Sequence, residues 1–275
     1  MKKMRRSERI VDLTQQFLHK PNIQVSLTNF AGQFLSAKSS ISEDIDIINR
    51  IFQEKGIGEL VTIAGAGGGV KYIPSISIEE ARDSMEEICQ SLSNSERLLP
   101  GGYLYMLDII GNPFKLKQIG RIFATYFAKM KIDGIITVET KGIPIAYATA
   151  FYLNVPVYVI RKDNKVTEGS VVTINYVSGS TKRIQTMSLA KRSLKENSNV
   201  AIIDDFMKAG GTMKGTINLL QEFNTNIKGI GVLVEVDGIK ERLVTEYISL
   251  ARLISIDEKV KKVNVVLGNY FKEEF

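Results

Sequence analysis

Residues 200–212 read Val-Ala-Ile-Ile-Asp-Asp-Phe-Met-Lys-Ala-Gly-Gly-Thr, and few folds accommodate such a run. The first four residues are apolar and mostly β-branched, the pattern of a strand buried on both faces. Asp204 and Asp205 follow where that strand is expected to end. A small-residue turn, Ala209-Gly210-Gly211-Thr212, comes next, and Ile217, Leu219, Leu220 and Phe223 then recur at helical spacing. This order puts the glycine loop at the carboxyl end of a strand, where open α/β sheets bind ligands. The loop's N–H groups, with the positive end of a helix behind them, favour an anion. The adjacent carboxylates suit hydroxyls or a metal-bound sugar. Phosphate on the loop and a sugar diol on the acids together describe a ribose phosphate. The competing reading, a plain strand–helix turn with glycines for packing, leaves two mutually repelling aspartates unexplained.

The stretch resembles the ribose-pyrophosphate signature of type I phosphoribosyltransferases: four apolar residues, Asp-Asp, two variable residues, then a Thr-Gly-Gly-Thr loop. Two departures stand out. Lys208 occupies the place where 6-oxopurine members carry an acid near the base, and Ala209 replaces the first threonine of the loop. The resemblance implies a binding site at Asp204, Asp205, Phe206, Met207, Lys208, Ala209, Gly210, Gly211 and Thr212, with no catalytic residue.

Elsewhere after residue 75, helical patterns (78–92, 116–130, 144–153) alternate with apolar strands (134–138, 155–160, 200–203, 230–234), which implies a parallel sheet. Residues 170–177 and 183–189 look like the arms of a hairpin. The strand at 134–138 ends at Glu139-Thr140-Lys141-Gly142, where the family places its pyrophosphate loop; Lys141 adds a cation and Gly142 permits an unusual backbone. Arg161 and Lys162 open a basic run that resembles the mobile catalytic loop of orotate-type members, with residues 167–183, including Ser178, as a lid. Arginine grips phosphate through two donors and lysine as a point charge. Tyr103 and Tyr105 either stack on a base or are half-buried strand aromatics.

Residues 1–74 look separate. Ile10, Leu13, Phe17 and Leu18 mark a helix. A second short helix, capped by Thr28 or Asn29, holds Phe30, Ala31, Phe34 and Leu35. A third, capped by Ser40 or Ser42, turns Ile45, Ile48, Ile51 and Phe52 inward, with Glu43 and Asp44 complementing its N-terminus. Two strands, 60–63 and 70–73, flank the turn Gly65-Ala66-Gly67-Gly68-Gly69. Helix, helix, turn, helix, hairpin is the order of a winged helix-turn-helix. Its recognition helix would offer Lys38, Ser39, Ser40 and Ser42 to base edges and phosphates, and its wing Gly67 and Lys71. Lys2, Lys3, Arg5, Arg6 and Arg9 form a basic arm suited to phosphates. The start of a dinucleotide fingerprint in Gly65-Ala66-Gly67 is rejected, because strand-like residues and Pro74 follow it rather than a helix.

The lone histidine, His19, rules out histidine-based zinc sites and a Ser-His-Asp triad in the carboxyl-terminal part. Cys89, the single cysteine, has no disulfide partner within the chain, and no apolar run is long enough to span a membrane, so a reducing cytoplasm is expected. A net charge of +6 is compatible with nucleic acid without arguing for it.

Along nearly its whole length the chain resembles the bacterial purine operon regulators. The resemblance is carried by Arg6-Ser7-Glu8-Arg9-Ile10-Val11, Ser39-Ser40-Ile41-Ser42-Glu43-Asp44, Leu99-Pro100-Gly101-Gly102-Tyr103, the run 161–170, the run 174–180 and Asp204–Thr212. It implies an α/β chain with an N-terminal winged helix-turn-helix (1–74) followed by a type I phosphoribosyltransferase-like parallel-sheet domain (75–275). It further implies a homodimer on paired purine-box operator DNA and phosphoribosyl pyrophosphate as effector, with magnesium an optional companion. Guanosine tetraphosphate is expected to compete for the same pocket, and transferase activity is not expected. Glu139 departs from the small residue usual in that family, and its charge would weaken anion binding or recruit magnesium. Two other readings compete: an active purine phosphoribosyltransferase with an accessory domain, and a scaffold that binds neither ligand. Repressor and activator share all these residues, so the sign of regulation stays open.

Overall fold

A computed structural model of the chain describes residues 4–65, 67–100, 103–162, 169–177, 183–257 and 262–272. Ser178, the basic run after Lys162, Lys2 and Lys3 lie outside the described residues.

The amino-terminal unit comprises α1 (Arg6–His19), β1 (Gln24–Val25), α2 (Leu27–Phe34), α3 (Lys38–Glu54), β2 (Gly58–Ile63) and β3 (Gly69–Pro74). Leu13, Phe17, Phe30, Phe34, Ile41, Ile45, Ile48, Phe52, Leu60, Val70 and Tyr72 form its core. Each large side chain buried there stabilises the unit by about 1.5–3 kcal/mol. The three strands pair in the order β1-β3-β2. The caps differ from the expectation. Ser26, not Thr28 or Asn29, caps α2, its hydroxyl accepting the Asn29 N–H. Helix α3 begins at Lys38 with Ala37 at its cap, so Ser40 and Ser42 sit inside the first turns with their side chains free of capping. Asp44 does not serve the helix N-terminus either. It is fully buried, and its carboxylate receives Arg9 Nε at 2.5 Å and Arg6 Nε at 2.9 Å. Arg9 is therefore a buried brace rather than part of a phosphate-binding arm.

The segment expected to link the two units is built into both. Arg121 donates to the carbonyls of Gly56 and Ser75 and pairs with Glu80, while Ile76, itself buried, donates its N–H to Thr125. Asn22 Nδ2 donates to the Tyr152 carbonyl at 2.8 Å.

The remaining elements are α4 (Ile78–Leu92), β4 (Leu98–Leu99), β5 (Tyr103–Leu104), α5 (Leu107–Ile110), α6 (Pro113–Phe127), β6 (Gly134–Val138), α7 (Gly142–Leu153), β7 (Val157–Ile160), β8 (Val171–Val177), β9 (Ile184–Ala190), β10 (Asn199–Met207), α8 (Gly211–Gln221), β11 (Asn226–Val236), β12 (Ile248–Asp257) and β13 (Lys262–Leu267). Six strands form one sheet in the order β13-β12-β11-β10-β6-β7, parallel except for the edge strand β13. Ala201 and Ile203 of β10 face the core under α4, α6 and α7, while Val200 and Ile202 face the core under α8 and the β8–β9 hairpin. That two-sided burial accounts for the unbroken apolar run. Much of the expected lid, 171–177, is regular strand paired with β9. No helix among the described residues is long and apolar enough to cross a membrane.

Candidate functional site

Strand order reverses between β6 and β10. From β6 the sheet grows outward to β7; from β10 it grows the other way through β11 and β12. Such a reversal opens a crevice at the carboxyl ends of the two strands. Here the crevice deepens because β10 outruns β6: their pairing stops at Ile202–Ile136, while β10 stays paired with β11 as far as Met207–Glu235. Asp204 and Asp205 therefore lie within the strand, not after it, on the stretch that β6 leaves uncovered.

A cleft of about 330 Å³ fills this place. Its walls include Tyr103, Glu139, Thr140, Lys141, Lys162 and the whole run from Asp204 to Thr212. Sequence reasoning missed Leu104, Met106, Val138, Gln185 and Met213, which also line it. Gln185 carried no motif; it reaches the cleft because the β8–β9 hairpin packs beside α8, where Tyr176 hydrogen-bonds Gln185 at 2.7 Å.

Gly210 adopts φ +81°, a left-handed conformation that only glycine enters freely, and it caps α8. The first bond of that helix runs from the Lys214 N–H to the Gly210 carbonyl at 2.8 Å. The N–H groups of Gly211, Thr212 and Met213 consequently have no acceptor within the helix. Donors so placed at the positive end of a helix dipole suit an anion.

Asp204 is pushed well above the ordinary aspartate range by desolvation and then by the charge of Asp205. Asp205 is raised too, chiefly by desolvation, with the Asp204 hydrogen bond and Lys141 opposing. Ionised, two carboxylates so disfavoured would be relieved by hydroxyl donors or a cation. Among the described residues there is no cluster of three or more potential metal ligands. The pair therefore fits magnesium only in company with a ligand's own oxygens, the usual way that ion is held next to phosphates.

Gly142 is needed for space rather than for backbone freedom, since its φ is not positive. A Cβ there would meet Thr137 Oγ1 at 2.4 Å and Asp204 Oδ1 at 3.1 Å, so α7 starts hard against β10. Glu139 does not stand free in the cleft. Its carboxylate accepts the Lys162 N–H at 2.7 Å and pairs with Arg161 at 3.3 Å. Arg161 is correspondingly turned to Glu139 and is not part of the cleft wall, whereas Lys162 is. At the other end, Tyr103 lies 6.0 Å from Phe206, ring to ring, and Lys208 Nζ sits 5.9 Å above the Tyr103 ring.

In the amino-terminal unit, Arg5, Lys38, Ser39 and Ser42 are exposed, Ser40 and Lys71 are half-buried, and Gly67 lies in the exposed β2–β3 turn. Arg6 is exposed but paired with Asp44 and Glu43.

A winged helix joined to a parallel sheet, with a crevice between an aspartate pair and a helix N-terminus, defines a DNA-binding protein that carries a phosphoribosyltransferase-type domain. Residues 5–74 match the family described as bacterial purine repressor, N-terminal, and residues 108–268 match the phosphoribosyl transferase domain. The chain is 58% identical over 270 residues to the purine biosynthesis transcriptional repressor PurR of Bacillus subtilis, covering 98% of this chain and 95% of that one. It is 41% identical over 271 residues to the purine biosynthesis transcriptional activator PurR of Lactococcus lactis, covering 98% and 100%. The chain belongs to the family of bacterial purine operon regulators, as its sequence indicated. Among solved structures, adenine phosphoribosyltransferase from Thermoanaerobacter pseudethanolicus aligns with a TM-score of 0.54 at 20% identity, over 61% of this chain and 99% of that one; this likeness is one of fold.

Proposed function

We propose that this protein regulates transcription of purine genes and that its crevice binds phosphoribosyl pyrophosphate as an effector, without transferring the ribosyl group. The observation that carries the proposal is the meeting of three features at one switch point: the Asp204–Asp205 pair, the α8 N-terminus behind Gly210, and Thr140 and Lys141 of the turn after β6, whose Gly142 is itself buried behind the cleft wall. In this reading the acids take the ribose diol, directly or with magnesium. The loop from Lys208 to Thr212 takes the 5′-phosphate, and Thr140, Lys141 and Gly142 take the pyrophosphate with Lys162 beside them. Tyr103, Phe206 and Lys208 would face the base of a nucleotide, which makes guanosine tetraphosphate a competitor for the same space. Magnesium, when present, would supply positive charge between the carboxylates and the ligand's oxygens. The active form is proposed to be a homodimer on paired operator sites.

A working transferase is the second reading, favoured by the intact crevice. Lys208 argues against it, because an ammonium cannot accept a proton from a purine as a carboxylate does. Incubation with adenine, guanine, hypoxanthine or xanthine plus phosphoribosyl pyrophosphate is expected to release no pyrophosphate, measured by a coupled assay. Release at an enzyme-like rate, about 1 s⁻¹ or faster, would instead make the protein a transferase.

DNA contact is proposed at Arg5, Arg6, Lys38, Ser39, Ser40, Ser42, Gly67 and Lys71. Arg5 is the cleaner probe of the phosphate term, since Arg6 is tied into the ion pairs around Asp44. Arg5→Ala is expected to weaken binding to operator and random DNA alike, and to flatten the log affinity against log salt plot by about one unit of slope. An unchanged slope would remove Arg5 from the interface.

A further inference from the structure

The Glu235 carboxylate is almost fully buried at the carboxyl end of β11, next to Met207 in the sheet register. One oxygen accepts Arg242 Nη1 at 2.8 Å and the Tyr247 hydroxyl; the other accepts Ser249 Oγ at 2.7 Å and Arg252 Nε at 3.0 Å. Arg242 also donates to the Val236 carbonyl and lies 5.3 Å over the Tyr247 ring. Burial alone would raise the Glu235 carboxyl, but the hydrogen bonds from Tyr247, Ser249 and Arg252 hold it below the ordinary glutamate range, so it stays ionised. The segment between β11 and β12 is thereby pinned to one buried charge at its middle, by Arg242, and at its far end, by Tyr247.

The middle of that segment reaches the phosphate loop. Leu243 donates its N–H to the Ala209 carbonyl at 3.0 Å, and Val244 lies where a Cβ on Gly210 would touch it at 3.5 Å. In a trans peptide the C=O and the following N–H point in opposite directions. A carbonyl of Ala209 held toward Leu243 therefore points the Gly210 N–H away from Leu243, in a stretch whose residues line the cleft.

We propose that Arg242, anchored on Glu235, is a positioning residue for the phosphate loop: it holds the Leu243 N–H on Ala209 and so aims the Gly210 N–H at a sugar phosphate. The proposal rests on the ribose-phosphate reading of the crevice. It also predicts selectivity, because the Thr140–Gly142 turn lies across the crevice and has no part in this brace.

The test is calorimetric titration of the full chain with phosphoribosyl pyrophosphate, ribose 5-phosphate and inorganic pyrophosphate, each added separately. Arg242→Ala is expected to weaken the two ribose phosphates by about tenfold to a hundredfold, the scale on which lost orienting groups act. Pyrophosphate affinity should stay within about twofold of the parent, and Arg242→Lys should restore part of the loss. Leu243→Pro, at an exposed side chain, removes the N–H that Ala209 accepts while also fixing φ there, and should show the same selectivity, which keeps the proposal testable if Arg242→Ala does not fold. Equal loss of all three ligands, or ribose 5-phosphate bound as tightly as by the parent, would overturn the proposal. A parent protein that binds no ribose phosphate would overturn the reading of the crevice itself.

Discussion

With both Asp204 and Asp205 replaced by alanine, the protein is expected to bind operator DNA as before and to ignore phosphoribosyl pyrophosphate. Binding is lost because the diol loses its acceptors and any bridging magnesium loses its protein ligands. Folding is kept because these acids do not support the fold at neutral pH. Both pKa values are raised in the folded state. An acid that holds its proton more tightly when folded favours the fold at low pH, and that contribution disappears as pH climbs from the ordinary aspartate value through the raised one. Above that window the ionised pair opposes folding, so alanine at both sites should leave the melting temperature unchanged or higher. Both residues also lie far from the winged helix in sequence. Calorimetry reads the lost effector, and a gel shift the retained DNA binding. A double variant that still responds to phosphoribosyl pyrophosphate would show that the acids do not hold the ribose.

Asp44→Ala is expected to have the opposite profile, with the effector site intact and the DNA-binding unit destabilised. Asp44 is fully buried on α3 and neutralises Arg9, which is itself buried on α1 and also donates to Ser36 in the turn before α3. Removing one partner of a buried pair leaves the other charge stranded, a loss of about 3–5 kcal/mol. Since whole domains are stable by only about 5–15 kcal/mol, that is a large share. Hydrogen exchange of the α1 and α3 amides reads the effect in this unit alone, without assuming that the chain unfolds in one step. A loss of about 1 kcal/mol or less, the scale of an exposed pair, would mean that water reaches the site and the brace is unimportant.

Much of the crevice was legible from residues 200–212, because composition there follows burial so closely. The apolar run has one reason, two covered faces, and the glycines have another, a left-handed cap at Gly210. What the run could not reveal is where the strand stops. Its continuation through Asp204 and Asp205 depends on β11 being long enough to pair with it, which is a property of a distant segment. The same limit hid β12 and β13, whose charged and polar residues interrupt the apolar pattern, and Gln185, which is placed by hairpin packing. In the winged helix the periodicity located all three helices, yet Asp44 and Arg9 were misread as surface charges. Their pairing spans 35 residues, and no local spacing announces it. Glu139 was likewise read alone, when its charge is met by Arg161 from the neighbouring strand end.

The proposed regulation requires that ligand in the crevice and DNA on the winged helix affect each other. One route joins them physically: α7 starts at the Thr140–Gly142 turn and ends where Asn22 holds the Tyr152 carbonyl, while Arg121 on α6 adds a second tie between the units at Gly56 and Ser75. The direct measurement is a gel-shift titration on DNA from upstream of a purine gene, with and without saturating phosphoribosyl pyrophosphate. The account predicts that the dissociation constant shifts by about 5–150-fold, with DNA changing effector affinity by the same factor. Superimposable titrations, in a protein that calorimetry shows to be loaded with the effector, would contradict it.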